Sequence, residues 1–324
     1  MRTRSSTSWL WQWPSEVFPP RRRFGVGDIP DLTGSVAIVT GGNTGIGKVT
    51  CKYLLLANAR VYLASRNPQK AATALADLQH TTGKADVHFL PLDLADLGSV
   101  RRAAEDFQRK EKQLHLLFNN AGAMLVPMDE VTGQGYDLQF GTNVLGPAYF
   151  TMLLLPTLLE TAKHVPRGSV RVVSTSSLVH TLAGWPGINY DTLLDGPARR
   201  KRLGRWAAYA QSKWAVVVFA KELARRYGEQ GVVSSSLNPG IIRTELLRHS
   251  PFFRAILNWS MFDPDPEGAL TQLYAGTSPE TAGAHGEYFI PLARLGVSRP
   301  DTYDEEAGRR LWEWVERVTE DVEL

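Results

Sequence analysis

The stretch that decides the fold is SVAIVTGGNTGIG, residues 35–47, in which an apolar run meets a glycine-rich turn. The β-branched run 35–40 predicts a buried strand, and residues 45–57 predict a helix. Glycines between a strand and a helix let the backbone turn tightly and approach a pyrophosphate, which the free N–H groups and dipole of the helix N-terminus attract. This stretch therefore predicts a dinucleotide-binding turn.

The alternation of strand and helix continues outward from this turn. Further apolar runs lie at residues 60–65, 86–92, 114–119, 169–174, 232–237 and 286–290. Helical segments are expected at 68–80 and 96–112, and from the end of the fourth run to about residue 162. Apolar runs separated by helices are typical of a parallel sheet covered on both faces. We therefore expect an α/β fold, a doubly wound parallel (Rossmann) sheet in a single domain over residues 34–324.

Two segments fall outside this minimal pattern. Residues 1–33 form an amino-terminal extension rich in Trp, Pro and Arg, which predicts an arm outside the sheet that is at most partly ordered. Residues 241–264 follow the sixth run and are rich in Leu and aromatic residues. Because ligands of such sheets bind beyond the carboxyl ends of the strands, this loop is interpreted as a substrate lid, with ordinary packing as the alternative.

Composition narrows the class of protein. The 324 residues are 43% hydrophobic and 21% charged, which excludes global disorder. The single cysteine, Cys51, excludes an internal disulfide and a cysteine-built metal cluster, and fits a reducing, cytoplasmic compartment. The net charge of +3 resides in the first 23 residues, and a near-neutral body argues against nucleic acid as a partner. No metal-site motif is present, so no metal is expected.

Membrane association rests on two weak features. The apolar run 138–159 contains Pro147, Pro156 and several polar residues, so a buried helix is favoured over a membrane span. The Trp/Arg-rich arm suits either contact with a membrane surface or packing on the body, and packing is preferred.

Five motifs occur in a fixed order along the chain. They are Gly41, Gly45 and Gly47 in TGxxxGxG, then Asn119-Asn120-Ala121-Gly122, Ser176-Ser177, Tyr209-x-x-x-Lys213 and Asn238-Pro239-Gly240. In this order the sequence resembles the short-chain dehydrogenase/reductase family over about residues 34–296. Its GIGK and SSLVH segments resemble the retinol-dehydrogenase and WW-domain-oxidoreductase branch. Its lead-in resembles fungal members, many of which act in secondary-metabolite pathways.

Tyr209 and Lys213 carry the expected chemistry. At a spacing of four they share one helix face, and an ammonium beside the phenol, together with the charge of an oxidised nicotinamide, is expected to bring the phenol pKa toward operating pH. Tyr209 would then exchange a proton with the substrate oxygen, while Lys213 also contacts the nicotinamide ribose. The resemblance assigns Ser177, in preference to Ser176, to the substrate oxygen, and Asn143 to a water in the proton relay.

The expected cofactor is NADP(H). Dehydrogenases that use NAD place a carboxylate after the second strand, whereas this chain has Arg66 there, with Lys70 nearby, to pair with a 2′-phosphate. The resemblance adds further contacts. The expected cofactor-binding residues are Gly41, Gly45, Ile46, Gly47, Arg66, Lys70, Asp93, Asn120, Tyr209, Lys213, Ile242 and Thr244.

These features predict an oxidoreductase that interconverts a small lipophilic alcohol and its ketone or aldehyde. A serine hydrolase is disfavoured because no GxSxG elbow is present. A dinucleotide-binding sensor or scaffold without catalysis is the alternative, although all four catalytic residues are present. By resemblance, the segment 138–159 matches a helix through which many members form homodimers.

Overall fold

A central sheet places the glycine-rich turn at the edge where ligands bind. The computed structural model describes residues 8–184, 187–242 and 262–322. The strands in these ranges are β1 Val36–Thr40, β2 Arg60–Ser65, β3 Val87–Pro91, β4 Leu116–Asn119, β5 Val170–Thr175, β6 Val232–Leu237, β7 Tyr288–Ile290 and β8 Arg294–Gly296. They form one sheet in the order β3-β2-β1-β4-β5-β6-β7-β8.

The sheet is parallel except for its last pair, β7 and β8. β1 pairs with β2 on one side and β4 on the other, so the chain changes direction across the sheet at β1. The crevice at such a switch point is where open α/β sheets bind their ligands. The expected doubly wound fold is confirmed.

Helices cover both faces. They are α1 Ser8–Val17, α2 Gly45–Leu56, α3 Pro68–Thr82, α4 Leu97–Lys110, α5 Leu138–Phe140, α6 Gly146–Ala162, α7 Pro197–Arg202, α8 Arg205–Tyr227, α9 Ala269–Thr277 and α10 Glu305–Thr319. One buried cluster lies between the sheet and α2, α3 and α9; the other lies between the sheet and α4, α6, α8 and α10. Every residue of β1, β5 and β6 is buried, as expected for strands covered on both faces.

Local signals fix the helix that follows β2. The Asn67 side chain accepts a hydrogen bond from the Lys70 backbone N–H at 2.8 Å, and Pro68 occupies the first helical position of α3. Gly83 ends the helix with φ +67°, a left-handed conformation that glycine adopts without strain. These signals place Arg66 in the short turn between β2 and α3.

The helix expected directly after β4 begins later than predicted. Residues 120–137 form a loop, and α5 starts at Leu138 after Asp137, whose carboxylate accepts the Phe140 N–H at 2.9 Å. The same carboxylate forms a buried ion pair with Arg199 at 3.0 Å. Arg199 also donates to the backbone oxygens of Met128 and Glu130, so it fixes this loop against α7. Residues 199–202 are four consecutive basic residues, and the first of them, Arg199, is therefore a core residue.

The carboxyl-terminal part of the chain adds elements that the sequence pattern did not predict. β8 turns back as an antiparallel strand beyond β7, and α10 packs across α6 and α8. Trp314 of α10 contacts Phe140 edge-on with a centroid separation of 5.6 Å, and Trp312 stacks on Phe219 at 5.7 Å. The helix thus covers part of the apolar surface that starts at Leu138.

The amino-terminal arm lies outside the sheet but packs on the body. Its helix α1 runs beside β8, where the Gln12 amide exchanges two hydrogen bonds with the Val297 backbone and Arg294 donates to Ser15 O at 2.5 Å. Farther on, the Phe24 ring packs edge-on against Tyr274 of α9 at 5.2 Å. The described part of the arm, residues 8–33, is held by contacts with distant segments, which the local sequence pattern could not show.

One helix within the described ranges, Leu138–Ala162, is long and apolar enough to cross a membrane by length and composition. However, 67% of its most apolar window is buried inside the protein, as in the core helix of a soluble fold. A π turn at Gly141–Leu145 interrupts its regular winding.

Candidate active site

The glycine-rich turn packs too tightly for side chains. Gly41 and Gly45 have φ +68° and +53°, which L side chains rarely adopt. A Cβ on Gly47 would collide with the carbonyl oxygen of Gly41 and the side-chain amide of Asn120. No side chain caps the start of α2, so its first N–H groups face the turn without a side-chain acceptor. This is the arrangement that a pyrophosphate completes.

Hydrogen bonds join the ends of β1 and β4 beside this turn. The Thr40 hydroxyl accepts the backbone N–H groups of Asn120 and Ala121 at 2.9 and 3.0 Å, and the Asn120 side chain donates to Thr40 O at 2.7 Å. The side-chain oxygens of Asn120 and Ser65 are buried without a hydrogen-bond partner. Unsatisfied buried polar atoms next to a backbone cradle fit a ribose, so these residues fit a dinucleotide.

The predicted phosphate reader lies at the same edge. Gly41 N donates to Ala64 O at 2.8 Å, which places Arg66, two residues further on, beside the glycine-rich turn. Arg66 and Lys70 are exposed, and the turn at Ser65, Arg66 and Asn67 contains no carboxylate. Asp93 accepts the Ala95 N–H at 3.0 Å and is only partly exposed.

Tyr209 and Lys213 are both buried on one face of α8, with exposures of 3% and 4%. The Lys213 ammonium lies 5.7 Å from the centre of the Tyr209 ring and donates to Thr175 O at 2.9 Å. This carbonyl, at the carboxyl end of β5, was missed at the sequence level because a backbone acceptor leaves no residue signature. Burial lowers the pKa of Lys213 to about 8.

The Tyr209 phenol has a raised pKa in the protein without a cofactor. The expected lowering included the charge of a bound oxidised nicotinamide and stays a prediction. Burial raises the pKa of the phenol to about 12, and the opposing hydrogen bond with Ser177 only partly offsets this effect. The Lys213 ammonium does not bring the phenol pKa toward neutrality in the protein alone, because it is itself desolvated and directed at Thr175 O. At neutral pH Tyr209 is therefore a protonated phenol, the form that donates a proton.

The two adjacent serines have different surroundings. The Ser177 hydroxyl is partly exposed, accepts the Val179 N–H at 3.2 Å and hydrogen-bonds the Tyr209 side chain. The Ser176 hydroxyl is buried and donates to the Lys213 backbone oxygen at 2.7 Å. Of the pair, only Ser177 is both accessible and next to the phenol.

Asn143 occupies the π turn that precedes α6. Its oxygen accepts the Ala123 N–H at 2.7 Å, and its nitrogen donates to Ala123 O and to the Ser212 hydroxyl, each at 2.9 Å. A Cβ on Gly122 would lie 3.2 Å from the Asn143 oxygen and 3.5 Å from the Lys213 nitrogen. The motif loop after β4 is thus held between Asn143 and Lys213.

His180 forms a hydrogen bond with the backbone of Ser177. Its Nε2 accepts the Arg299 backbone N–H at 3.1 Å, so Nδ1 carries the hydrogen and donates to Ser177 O at 2.8 Å. Burial lowers the pKa of this fully buried imidazole to about 4. His180 is therefore neutral and holds the backbone of Ser177. The sequence did not predict this role, because it depends on the hydrogen bond with the distant residue Arg299.

The substrate lid is described only at its two ends. Ile242 is buried and forms a parallel bridge with Phe262, whose N–H donates to Ile241 O at 2.8 Å. Gln272 of α9 and Ile46 of the glycine-rich turn lie near these ends. Thr244 and most of the lid 241–264 lie outside the described residues. Within the described ranges, no group of three or more metal-ligating side chains occurs.

The chain has clear relatives. The short chain dehydrogenase model matches residues 35–191 and 197–251. A short-chain dehydrogenase/reductase of Armillaria gallica is 54% identical over 313 residues, which cover 96% of this chain and 99% of that protein. Retinol dehydrogenase 12 of Homo sapiens is 36% identical, with 91% of each chain covered.

Solved structures share the same fold. A crystal structure of an uncharacterized protein from Mycobacterium paratuberculosis has a TM-score of 0.69 and 30% identity, covering 92% of this chain and 97% of that one. NADPH-bound carbonyl reductase from chicken fatty liver has a TM-score of 0.62 and 24% identity, covering 82% and 99%, a likeness that concerns the fold alone. The chain therefore belongs to the short-chain dehydrogenase/reductase family of oxidoreductases, in its retinol-dehydrogenase-like branch.

Proposed function

We propose that this chain is an NADP(H)-dependent oxidoreductase that interconverts a lipophilic alcohol and its ketone or aldehyde. The observation that carries the proposal is the convergence of Ser177, Tyr209 and Lys213 at the carboxyl end of β5, beside a dinucleotide-shaped turn. When bound, the reduced nicotinamide supplies hydride to the carbonyl carbon.

Each side chain then has a task. Ser177 and Tyr209 hold the carbonyl oxygen, and Tyr209, whose raised pKa keeps it protonated, donates the proton as the alcohol forms. Lys213 binds the cofactor ribose and places a positive charge near the phenol that has lost its proton. Asn143 fixes the loop at Ala123 and, in the family's scheme, anchors a water that restores the proton.

Preference for NADP(H) is supported by Arg66. The guanidinium is exposed at the end of β2, where no carboxylate competes for it, and Lys70 lies one turn further on. A guanidinium pairs a 2′-phosphate through charge-assisted hydrogen bonds and also stacks on adenine. The NADPH-bound reductase with this fold is compatible with the same choice.

A lipophilic substrate is supported by the composition of the lid 241–264 and by the retinol dehydrogenase relative. A role in fungal secondary metabolism is part of the proposal, and the Armillaria relative supports its fungal part. A cytoplasmic location belongs to the proposal as well. The described part of the arm packs on the body, which supports packing over membrane contact. A homodimer through 138–159 would have to include α10, which packs on this segment.

The direct test is NADPH oxidation by the purified chain with a panel of lipophilic ketones and aldehydes. We expect turnover of at least one member, with slower oxidation of NADH. NADPH binding without turnover of any member would instead support the alternative, a dinucleotide-binding sensor or scaffold. Turnover that persists in Tyr209→Phe would contradict the proposed roles.

A further inference from the structure

The amino-terminal arm carries a buried carboxylate that contacts the Asn238-Pro239-Gly240 motif after β6. Glu16, near the end of α1, is 2% exposed, and its Oε2 accepts the Asn238 side-chain N–H at 2.7 Å. Its Oε1 accepts the Gln12 amide at 2.5 Å. A buried carboxylate costs free energy unless it is well hydrogen-bonded, so a surface helix that only docks has little reason to carry one.

Asn238 shapes the turn that follows β6. Its backbone N–H donates to Phe289 O at 2.9 Å, and its side-chain oxygen accepts the Gly240 N–H at 3.0 Å. With that oxygen engaged, the side-chain nitrogen has Glu16 as its acceptor. The carboxylate therefore sets the orientation of the Asn238 amide, which in turn holds the Gly240 backbone.

The backbone beyond Gly240 leads directly to the site. Gly240 has φ +100°, and a Cβ there would lie 3.0 Å from the Phe262 ring, so the turn closely contacts the far end of the lid. Ile242, two residues later, forms a β-bridge with Phe262. A Cβ placed on Gly268 would contact both Ile242 and Ile46, so these two side chains lie close to each other. The orientation of the turn thus determines where both lid ends meet the glycine-rich turn.

The Glu16 charge also acts on Tyr288, a neighbour of His180. The Tyr288 hydroxyl lies 3.4 Å from His180 Nδ1, and His180 holds the Ser177 backbone. Burial, with the Glu16 charge as a second cause, raises the pKa of Tyr288. Burial raises the pKa of Glu16 itself, while Asn238, Gln12 and Arg294 oppose this shift.

We propose that Glu16 is a positioning residue of the active site: through Asn238 it fixes the turn 238–242, and the arm is thereby part of the reaction machinery. This inference rests on the proposed function, since it assigns the turn to the nicotinamide end of the site. The arm's other contacts, from Gln12 to Val297 and from Phe24 to Tyr274, dock it on the body.

The test compares variants that loosen the arm with variants that release the turn. Glu16→Ala removes the acceptor of Asn238, whereas Glu16→Gln keeps an acceptor oxygen. Phe24→Ala is the matched control, because it removes a docking contact of the same arm and leaves Glu16 and its hydrogen bonds in place. Each variant is characterised by its Tm, its NADPH Kd from fluorescence, and kcat and KM for an accepted carbonyl.

For Glu16→Ala we expect a loss of about tenfold or more in kcat/KM and weaker NADPH binding, which is the size of a lost hydrogen bond to a charged group. Glu16→Gln should recover most of this loss. Phe24→Ala should lower Tm with little change in kcat/KM. In an Asn238→Ala background, Glu16→Ala should cause little further loss.

Equal losses in Phe24→Ala and Glu16→Ala at matched Tm would overturn the inference and reduce the arm to a docking element. Additive losses in the double variant would do the same. If the wild type reduces no carbonyl, the proposed function fails, and NADPH affinity alone then decides the inference. Unchanged NADPH affinity in Glu16→Ala would contradict it.

Discussion

The parts of the site on the two halves of the sheet are built from different kinds of contact. On the cofactor side, β3-β2-β1-β4, the site is made of backbone and short side chains, such as Thr40 with Asn120. On the substrate side, β5-β6-β7-β8, the site depends on long-range pairs, such as Glu16 with Asn238 and His180 with Arg299. A pyrophosphate site can be built from local motifs, whereas a substrate pocket draws on the whole chain.

The largest expected effect lies at the boundary between these halves. Tyr209→Phe keeps the buried ring and removes the hydroxyl, so kcat should fall by about 10²- to 10⁴-fold, the usual range for a general acid or base. NADPH binding and Tm should change little. The measurement is steady-state turnover beside fluorescence titration, with Tyr303→Phe, at a half-exposed tyrosine, as the matched control.

Substitutions of the adjacent residues Ser176 and Ser177 should have different effects. Ser177→Ala should lower kcat because the hydroxyl beside the phenol is lost, with cofactor affinity unchanged. Ser176→Ala should mainly lower the Tm, since its hydroxyl satisfies the Lys213 carbonyl. A larger kcat loss in Ser176→Ala would reverse the assignment of the two serines and leave the role of Tyr209 standing.

The stability of the protein at a series of pH values tests the burial of His180 on the substrate side. The His180 pKa falls from 6.5 to about 4 on burial, so the unfolded chain binds a proton over this range that the folded chain does not. The free energy of unfolding should therefore fall as pH drops from 6.5 to 4, by about 3 kcal/mol from this residue. Above pH 6.5 the residue contributes no pH dependence.

Urea unfolding at several pH values would measure this slope. His180→Gln should be less stable at neutral pH yet should lose less stability toward pH 4, because it cannot titrate. His164→Gln, at an exposed histidine, is the control and should keep the wild-type slope. Parallel curves for wild type and His180→Gln would show that His180 is not a buried neutral group.

A smaller, specific effect is expected on the cofactor side. Arg66→Ala should weaken NADPH binding by about tenfold to hundredfold, the loss of a charge-assisted pair with phosphate, and should weaken NADH binding less, because only the stacking on adenine is lost. Arg102→Ala, which removes an exposed arginine on α4, serves as the control. Equal NADPH affinity in Arg66→Ala and wild type would mean that Arg66 does not read the 2′-phosphate.

Sequence predicted the cofactor side better for a physical reason. Strand periodicity, the glycines and the helix signals at Asn67 and Gly83 act over a few residues, so the pattern alone carries them. Tyr209, Lys213 and Ser177 were placed by motif spacing, and the structure brings them together. Whether they act as assigned awaits the variants.

The remaining features were hidden because their causes are distant. Nothing near Arg199 marks it as buried, since its partner Asp137 lies 62 residues away. The Glu16–Asn238 contact spans 222 residues. The Tyr209 pKa depends on how much water the folded chain excludes, which spacing cannot report. Strand β8 and helix α10 follow the last family motif, where no pattern guided the prediction.

The contact between Gln12 and Val297 has a consequence for the exposed edge of the sheet. A carboxamide offers the same donor and acceptor as a peptide group, so the Gln12 side chain pairs with the backbone beyond β8 as a neighbouring strand would. Unlike a strand, it offers no second edge. The arm thus terminates the sheet, and a chain trimmed before residue 17 would present an open strand edge to other molecules, with aggregation as the expected outcome.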